Sequence, residues 1–174
     1  MITMSNAGVQ VESNSMPPRA TTSRRGLSVV DVFLVLAANS PTMLSWLHVE
    51  MLKRNLKYSK RALQYTLNKL VDAGYVVHER RYYALAPTIS TSSARFFPPV
   101  KPGIAEVDLL LLVLAGVKEP RRPFLMLWGG NEAAELRYRR AVRRLVQLGY
   151  LERRYDRRYL PSARTLTLLN LKIV

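Results

Sequence analysis

Two aliphatic runs stand out along the chain: Leu27-Ser-Val-Val-Asp-Val-Phe-Leu-Val-Leu-Ala-Ala and Ile104-Ala-Glu-Val-Asp-Leu-Leu-Leu-Leu-Val-Leu-Ala. Each predicts a helix with an aspartate, Asp31 or Asp108, in its first turn, where a negative charge suits the helix dipole. Ser28 is a candidate N-cap for the first. Apolar Leu44, Leu47, Met51 and Leu52 recur at helical spacing, so residues Thr42 to Asn55 predict a second helix, with Pro41 near its start. After a break at Leu56-Lys-Tyr58, Ser59 is placed to cap a third helix. That helix would bury Leu63, Leu67, Leu70 and Val71 and stop at Gly74, a residue that tolerates the left-handed C′ position. Two short β-rich runs follow, Tyr75-Val-Val-His-Glu-Arg and Tyr82-Tyr-Ala-Leu, and predict a hairpin.

The second half repeats the plan. Leu70-Val71-x-x-Gly74-Tyr75 aligns with Leu145-Val146-x-x-Gly149-Tyr150 at an offset of 75, and the two Val-Asp pairs align at an offset of 77. Two matches in the same order, with only a two-residue difference in offset, indicate an internal duplication. The second copy has a shorter second helix around Phe124 to Trp128, a third helix capped by Asn131 and ended at Gly149, and a hairpin from Tyr150 to Leu160. The tail from Thr165 to Val174 reads as strand-like and packed on the body. Residues 1–26, rich in Ser, Thr, Asn and Pro, predict a flexible basic arm ending in Arg24 and Arg25. Residues 88–103 read as a proline-bearing linker in which Phe96 and Phe97 dock on one of the units. The organisation is therefore an arm (1–26), a first unit (27–87), a linker (88–103) and a second unit (104–174). The fold class is α+β, mainly α.

Composition narrows the chemistry. The chain has 174 residues, 48% of them apolar, enough for packed cores. It has no cysteine, which excludes disulfides, thiolate-held zinc, iron–sulfur clusters and a thiol nucleophile. Its 27 basic and 12 acidic residues give a net charge of +15. Arginine outnumbers lysine 20 to 7, which favours bidentate contact with phosphate. A polyanionic partner follows, with nucleic acid ahead of a membrane surface. The longest apolar run, Ile104 to Val117, is 14 residues and carries two acids, too short and too charged to span a bilayer. The first residues also lack the apolar core of a signal peptide. A cytoplasmic, nucleoid-associated location is expected, with a virion as the alternative. The lack of cysteine, the abundant arginine and the few glutamines are a weak compositional sign of a hot environment.

Three helices and a β-hairpin in about 60 residues resemble the winged-helix variant of the helix-turn-helix. The Leu-Val-x-x-Gly-Tyr-x-x-x-x-Arg pattern resembles the junction of recognition helix and wing in small bacterial and archaeal regulators. The resemblance covers residues 27–87 and 104–160. It implies two winged-helix domains binding double-stranded DNA, with the third helix in the major groove and the hairpin against the backbone or the minor groove.

The residues off the core side of the third helices suit that role. In the first unit Lys60, Arg61, Gln64 and Asn68 share a stripe; Gln and Asn can pair with adenine and Arg with guanine. The aligned face of the second unit carries Arg139, Arg140, Arg143 and Arg144. Such a cluster repels itself and gains nothing without an anion, so it reads as a phosphate track. The hairpins add Arg80 and Arg81 in the first unit, and Arg153, Arg154, Arg157 and Arg158 in the second. Net charges of +4 for residues 27–87 and +7 for residues 104–174 suggest a reader and an anchor.

Other residues invite bland readings. His78 reads as a surface histidine, His48 as structural, and Trp46 and Trp128 as core. Tyr75 and Tyr150, at the helix–strand corners, read as packing residues. Gly129-Gly130 lacks the spacing of a phosphate-binding loop, and no metal or cofactor ligand set or catalytic constellation stands out, so an enzyme is not expected. Transcription regulation is the leading function. The alternatives are a packaging or virion nucleoprotein, a plasmid or virus replication initiator, and, further behind, a protein–protein module. Self-association stays open.

Overall fold

The computed structural model describes residues 28–90 and 95–171. The expected arm, with Arg24 and Arg25, lies outside them. The chain is α+β and mainly helical. Its first half runs α1 (Val29–Asn39), β1 (Thr42–Met43), α2 (Leu44–Lys53), α3 (Lys60–Asp72), β2 (Val76–Glu79) and β3 (Tyr82–Leu85). The second runs α4 (Ala105–Leu114), α5 (Arg121–Leu127), α6 (Glu132–Gln147), β4 (Leu151–Arg153), β5 (Tyr159–Pro161) and α7 (Ala163–Leu168). In both halves, three helices precede an antiparallel hairpin.

The two aliphatic helices form the middle of the molecule. Residues 30–36 of α1 and 107–113 of α4 are buried without interruption, as expected of helices apolar on every side. α1 packs on α2 and α3 of its own half, and on α4 and α7 of the other. One continuous hydrophobic cluster therefore runs from Val30 to Leu169 through both halves.

The third helices follow their sequence pattern closely. Ser59 accepts a hydrogen bond from the Ala62 amide at 3.1 Å, and Asn131 from the Ala134 amide at 2.9 Å, so each caps its helix. Leu63, Leu67 and Leu70 are fully buried, with Val71 half-buried beside them. Gly74 and Gly149 end the helices at φ +84° and +79°, where a side chain would be strained. The next residue then turns back: Tyr75 N–H donates to Leu70 O, and Tyr150 N–H to Leu145 O.

Several sequence expectations are corrected. Thr42 and Met43 are not helical; they pair with Tyr83 and Tyr82 of β3, giving a three-stranded sheet in the order β1-β3-β2. Backbone pairing along the free edge of β3 outweighs the helical spacing there. The helix that follows ends at Lys53, and Leu52 and Trp46 face outward, Trp46 with 60% exposure, so neither belongs to the core. Ser28 holds the N-cap position but makes no side-chain cap bond. The expected strand-like tail is instead helical as far as Leu168. Ser162 caps α7 by accepting from the Thr165 amide at 3.2 Å, and Thr165 Oγ1 donates to Tyr150 O at 2.7 Å. A good cap and the burial of Leu168 and Leu169 outweigh the β preference of the threonines. Residues 172–174 lie outside the described residues. In the linker, Phe96 is buried and bridges Ser90, while Phe97 is half-buried.

Candidate nucleic-acid interface

The amphipathic third helices decide what faces water. On α3, burial of Leu63, Thr66, Leu67 and Leu70 leaves Lys60, Arg61, Gln64 and Asn68 exposed on the other side. Tyr65 is exposed beside them, with Lys69 Nζ 4.6 Å from its ring centre. On α6, burial of Ala134, Tyr138, Ala141 and Leu145 sends Arg139, Arg140, Arg143 and Arg144 outward. Arg80 and Arg81 occupy the β2–β3 turn, Arg153 ends β4, and Arg154, Arg157 and Arg158 lie in the β4–β5 loop; all six are exposed. That loop closes through Arg154 N–H to Arg158 O at 2.8 Å, with Asp156 and Arg157 at positive φ.

The arginine face of α6 is not uniformly free. Glu135 holds Arg139 at 3.1 Å and Arg121 of α5 at 3.0 Å, and Arg144 comes within 4.0 Å of Glu106. The Arg121 and Arg139 guanidiniums keep the Glu135 carboxyl below the usual carboxylate range. Arg140 and Arg143 have no such partner among the described residues.

Two cationic hollows gather some of these groups. Arg140, Arg143 and Arg144 share one with Arg164. Arg153 and Arg157 share another, of about 450 Å³, with Arg121 and Arg122, the acids Glu119 and Asp156, and the largely buried Tyr138 and Tyr159. Burial pushes the Tyr138 phenol up to about 12. Sequence spacing missed Arg121, Arg122 and Arg164; only the arginine pair after Pro120 offered a sign, and Arg164 is isolated in the sequence. The stripe of α3 and the β2–β3 turn line neither hollow.

Several tempting residues have structural partners. His48 Nε2 lies 2.6 Å from Tyr58 O, tying α2 to the segment before α3. The His78 ring stacks on Tyr83 at 4.1 Å. Trp128 is half-buried and donates to Asp108 Oδ2 at 3.1 Å.

Tyr75 and Tyr150 do more than pack. Tyr75 Oη donates to Asp108 Oδ1 and Tyr150 Oη to Asp31 Oδ1, each at 2.5 Å and each from one half to the other. Asp108 Oδ2 also accepts from the Gly103 amide at 3.0 Å. Burial raises the Asp108 carboxyl above its ordinary value, against the opposing pull of the Tyr75 hydroxyl. The signal was present in the sequence: the repeated Val-Asp and Gly-Tyr pairs supply the two ends of both contacts.

No helix of the described residues is long and apolar enough to cross a membrane. No family model, curated protein or solved structure matches the chain.

Proposed function

We propose that the protein binds double-stranded DNA through two winged-helix units that arose by internal duplication, and that it acts as a transcription regulator. The observation that carries this reading is the recurrence of three helices and a hairpin, with the outward side of both third helices, α3 and α6, lined by groups that bind phosphates and bases. Gln64 and Asn68 are the candidates for base-edge contact, while Arg140 and Arg143 are suited to phosphates. Tied by the two Tyr–Asp contacts, the units would act as a built-in pseudo-dimer on half-sites about one helical turn, roughly 34 Å, apart. The net positive charge agrees with work at the nucleoid.

A second reading, a packaging or architectural nucleoprotein, is favoured by one feature: α6 offers arginines where α3 offers Gln64 and Asn68. Selection from a random duplex pool at near-physiological salt separates the two. Enrichment of a bipartite motif is the result expected of a regulator, or of an initiator at a repeated origin site. Retention without enrichment, lost steeply as salt rises, would replace it with packaging. Absence of retention would overturn duplex binding altogether.

A further inference from the structure

A hollow of about 400 Å³ lies at the seam between the two halves. Ser28 and Asp31 of the first half form one wall, and the last turns of α6 with Arg164 form the other. Four guanidiniums line it, from Arg140, Arg143, Arg144 and Arg164, against the single carboxylate of Asp31. That carboxylate is buried and already engaged. Its Oδ1 accepts from Tyr150 at 2.5 Å and Arg164 at 3.3 Å, and its Oδ2 from Tyr58 at 3.4 Å.

Arg164 is fixed in place. It donates to Leu148 O at 2.7 Å, and its guanidinium lies over the Tyr150 ring, 4.8 Å from the centre. Arg140 and Arg143 are the opposite case, exposed and unpaired among the described residues. Like charges gathered around a concave surface repel one another, and an anion seated among them removes that repulsion.

We propose that the seam hollow is a phosphate-binding site, in which Arg140, Arg143 and Arg144 join the fixed guanidinium of Arg164 around the bound group. The phosphate comes from a nucleic-acid backbone or from a free nucleotide; the chemistry is the same in both. Its assignment to a backbone phosphate rests on the duplex-binding reading, but the site itself does not. An occupant that binds only the folded chain stabilises it against unfolding.

Thermal unfolding of the full chain at fixed ionic strength tests this, with pyrophosphate and a short duplex as separate ligands. Saturating pyrophosphate is expected to raise Tm by about 5 °C. R140Q/R143Q should lose that shift, whereas K57Q/K118Q, which removes the same charge from exposed positions elsewhere, should keep it. Arg140 and Arg143 hold nothing in the fold, so the variant should keep the wild-type far-UV circular dichroism. A shift that survives R140Q/R143Q, or that K57Q/K118Q abolishes equally, would overturn the site. If the duplex gives a shift with the same dependence, the natural source is a backbone. If pyrophosphate binds as expected and the duplex does not bind at all, the site stands on a free nucleotide and the duplex-binding reading falls.

Discussion

The hydroxyl of Tyr150 reaches 119 residues back along the chain to donate to Asp31 Oδ1 at 2.5 Å. Tyr75 and Asp108 repeat the contact in the opposite sense, also at 2.5 Å. Each half thus contributes one buried donor and one buried acceptor to the seam, as the two subunits of a symmetric dimer would.

Removing either hydroxyl leaves a buried carboxylate short of a donor. Y150F and Y75F should each cost about 1–3 kcal/mol of unfolding free energy, read from urea midpoints. Y75F should be the costlier, because Tyr75 Oη also accepts the Ile104 amide at 2.6 Å, which the phenylalanine would leave unpaired. At Asp31, Arg164 and Tyr58 remain after Y150F, at 3.3 and 3.4 Å. The two contacts share no partner, so the double variant should lose close to the sum of the single losses. Free energies unchanged in both single variants would mean that the seam is held by apolar packing alone.

The same pair sets the response to alkali. Burial, reinforced by the neighbouring carboxylates, pushes the Tyr75 and Tyr150 phenols well above the ordinary tyrosine value. A group whose pKa is raised on folding contributes stability that is complete below its unfolded pKa, here about 10, and is lost as pH climbs towards the folded value. Each phenol should therefore remove about 1.4 kcal/mol per pH unit above about pH 10. Urea unfolding of wild type and Y150F across that range isolates one share. Parallel curves for the two proteins would show that Tyr150 ionises freely in the fold.

Gly103 guards the Tyr75 contact by its lack of a side chain. A Cβ there would stand 2.4 Å from Tyr75 Oη and 2.8 Å from Cζ, distances that force the ring to move. Gly116 offers a contrast, at φ +87° but with nothing within 4 Å of an added Cβ. G116A should cost only the backbone strain, about 1 kcal/mol. G103A should cost more, about 2–4 kcal/mol, because it displaces a buried aromatic ring and breaks its hydrogen bond. The comparison of Tm values is direct, and an equal loss in the two variants would mean that the seam yields to the methyl group.

Sequence reading succeeded where local rules decide. Ser59, Asn131, Gly74 and Gly149 punctuate the third helices by side-chain caps and backbone freedom, and Leu63, Leu67 and Leu70 fall on one face by periodicity alone. It failed where distant partners decide. Thr42 and Met43 become a strand because β3 lies alongside, 39 residues later at the Met43–Tyr82 pair. Asp31 and Asp108 fit the dipole of the first helical turn, so nothing local betrayed that each carboxylate is buried against the other half. Of the candidate interface, exposure of the eight residues on α3 and α6 was legible from amphipathicity, and that of the six hairpin arginines from their place in or beside the turns. The restraint that Glu135 places on Arg139 and Arg121 was legible only in part, since Arg121 comes from another helix.

Glu135 therefore offers a sharp test of the arginine face. Its carboxylate cancels one positive charge and holds two guanidiniums, Arg139 and Arg121, away from any incoming phosphate. E135Q removes that charge and frees both. If α6 tracks a phosphate backbone, duplex affinity should rise by up to about tenfold near 0.1 M salt, and the slope of log K against log salt should steepen by about one. Arg139→Gln alone should weaken binding less than Arg143→Gln, because Arg139 must first leave its ion pair whereas Arg143 has none. Fluorescence anisotropy with a labelled duplex over a salt series reads both quantities. An affinity for E135Q equal to or below that of wild type would remove α6 from the nucleic-acid interface.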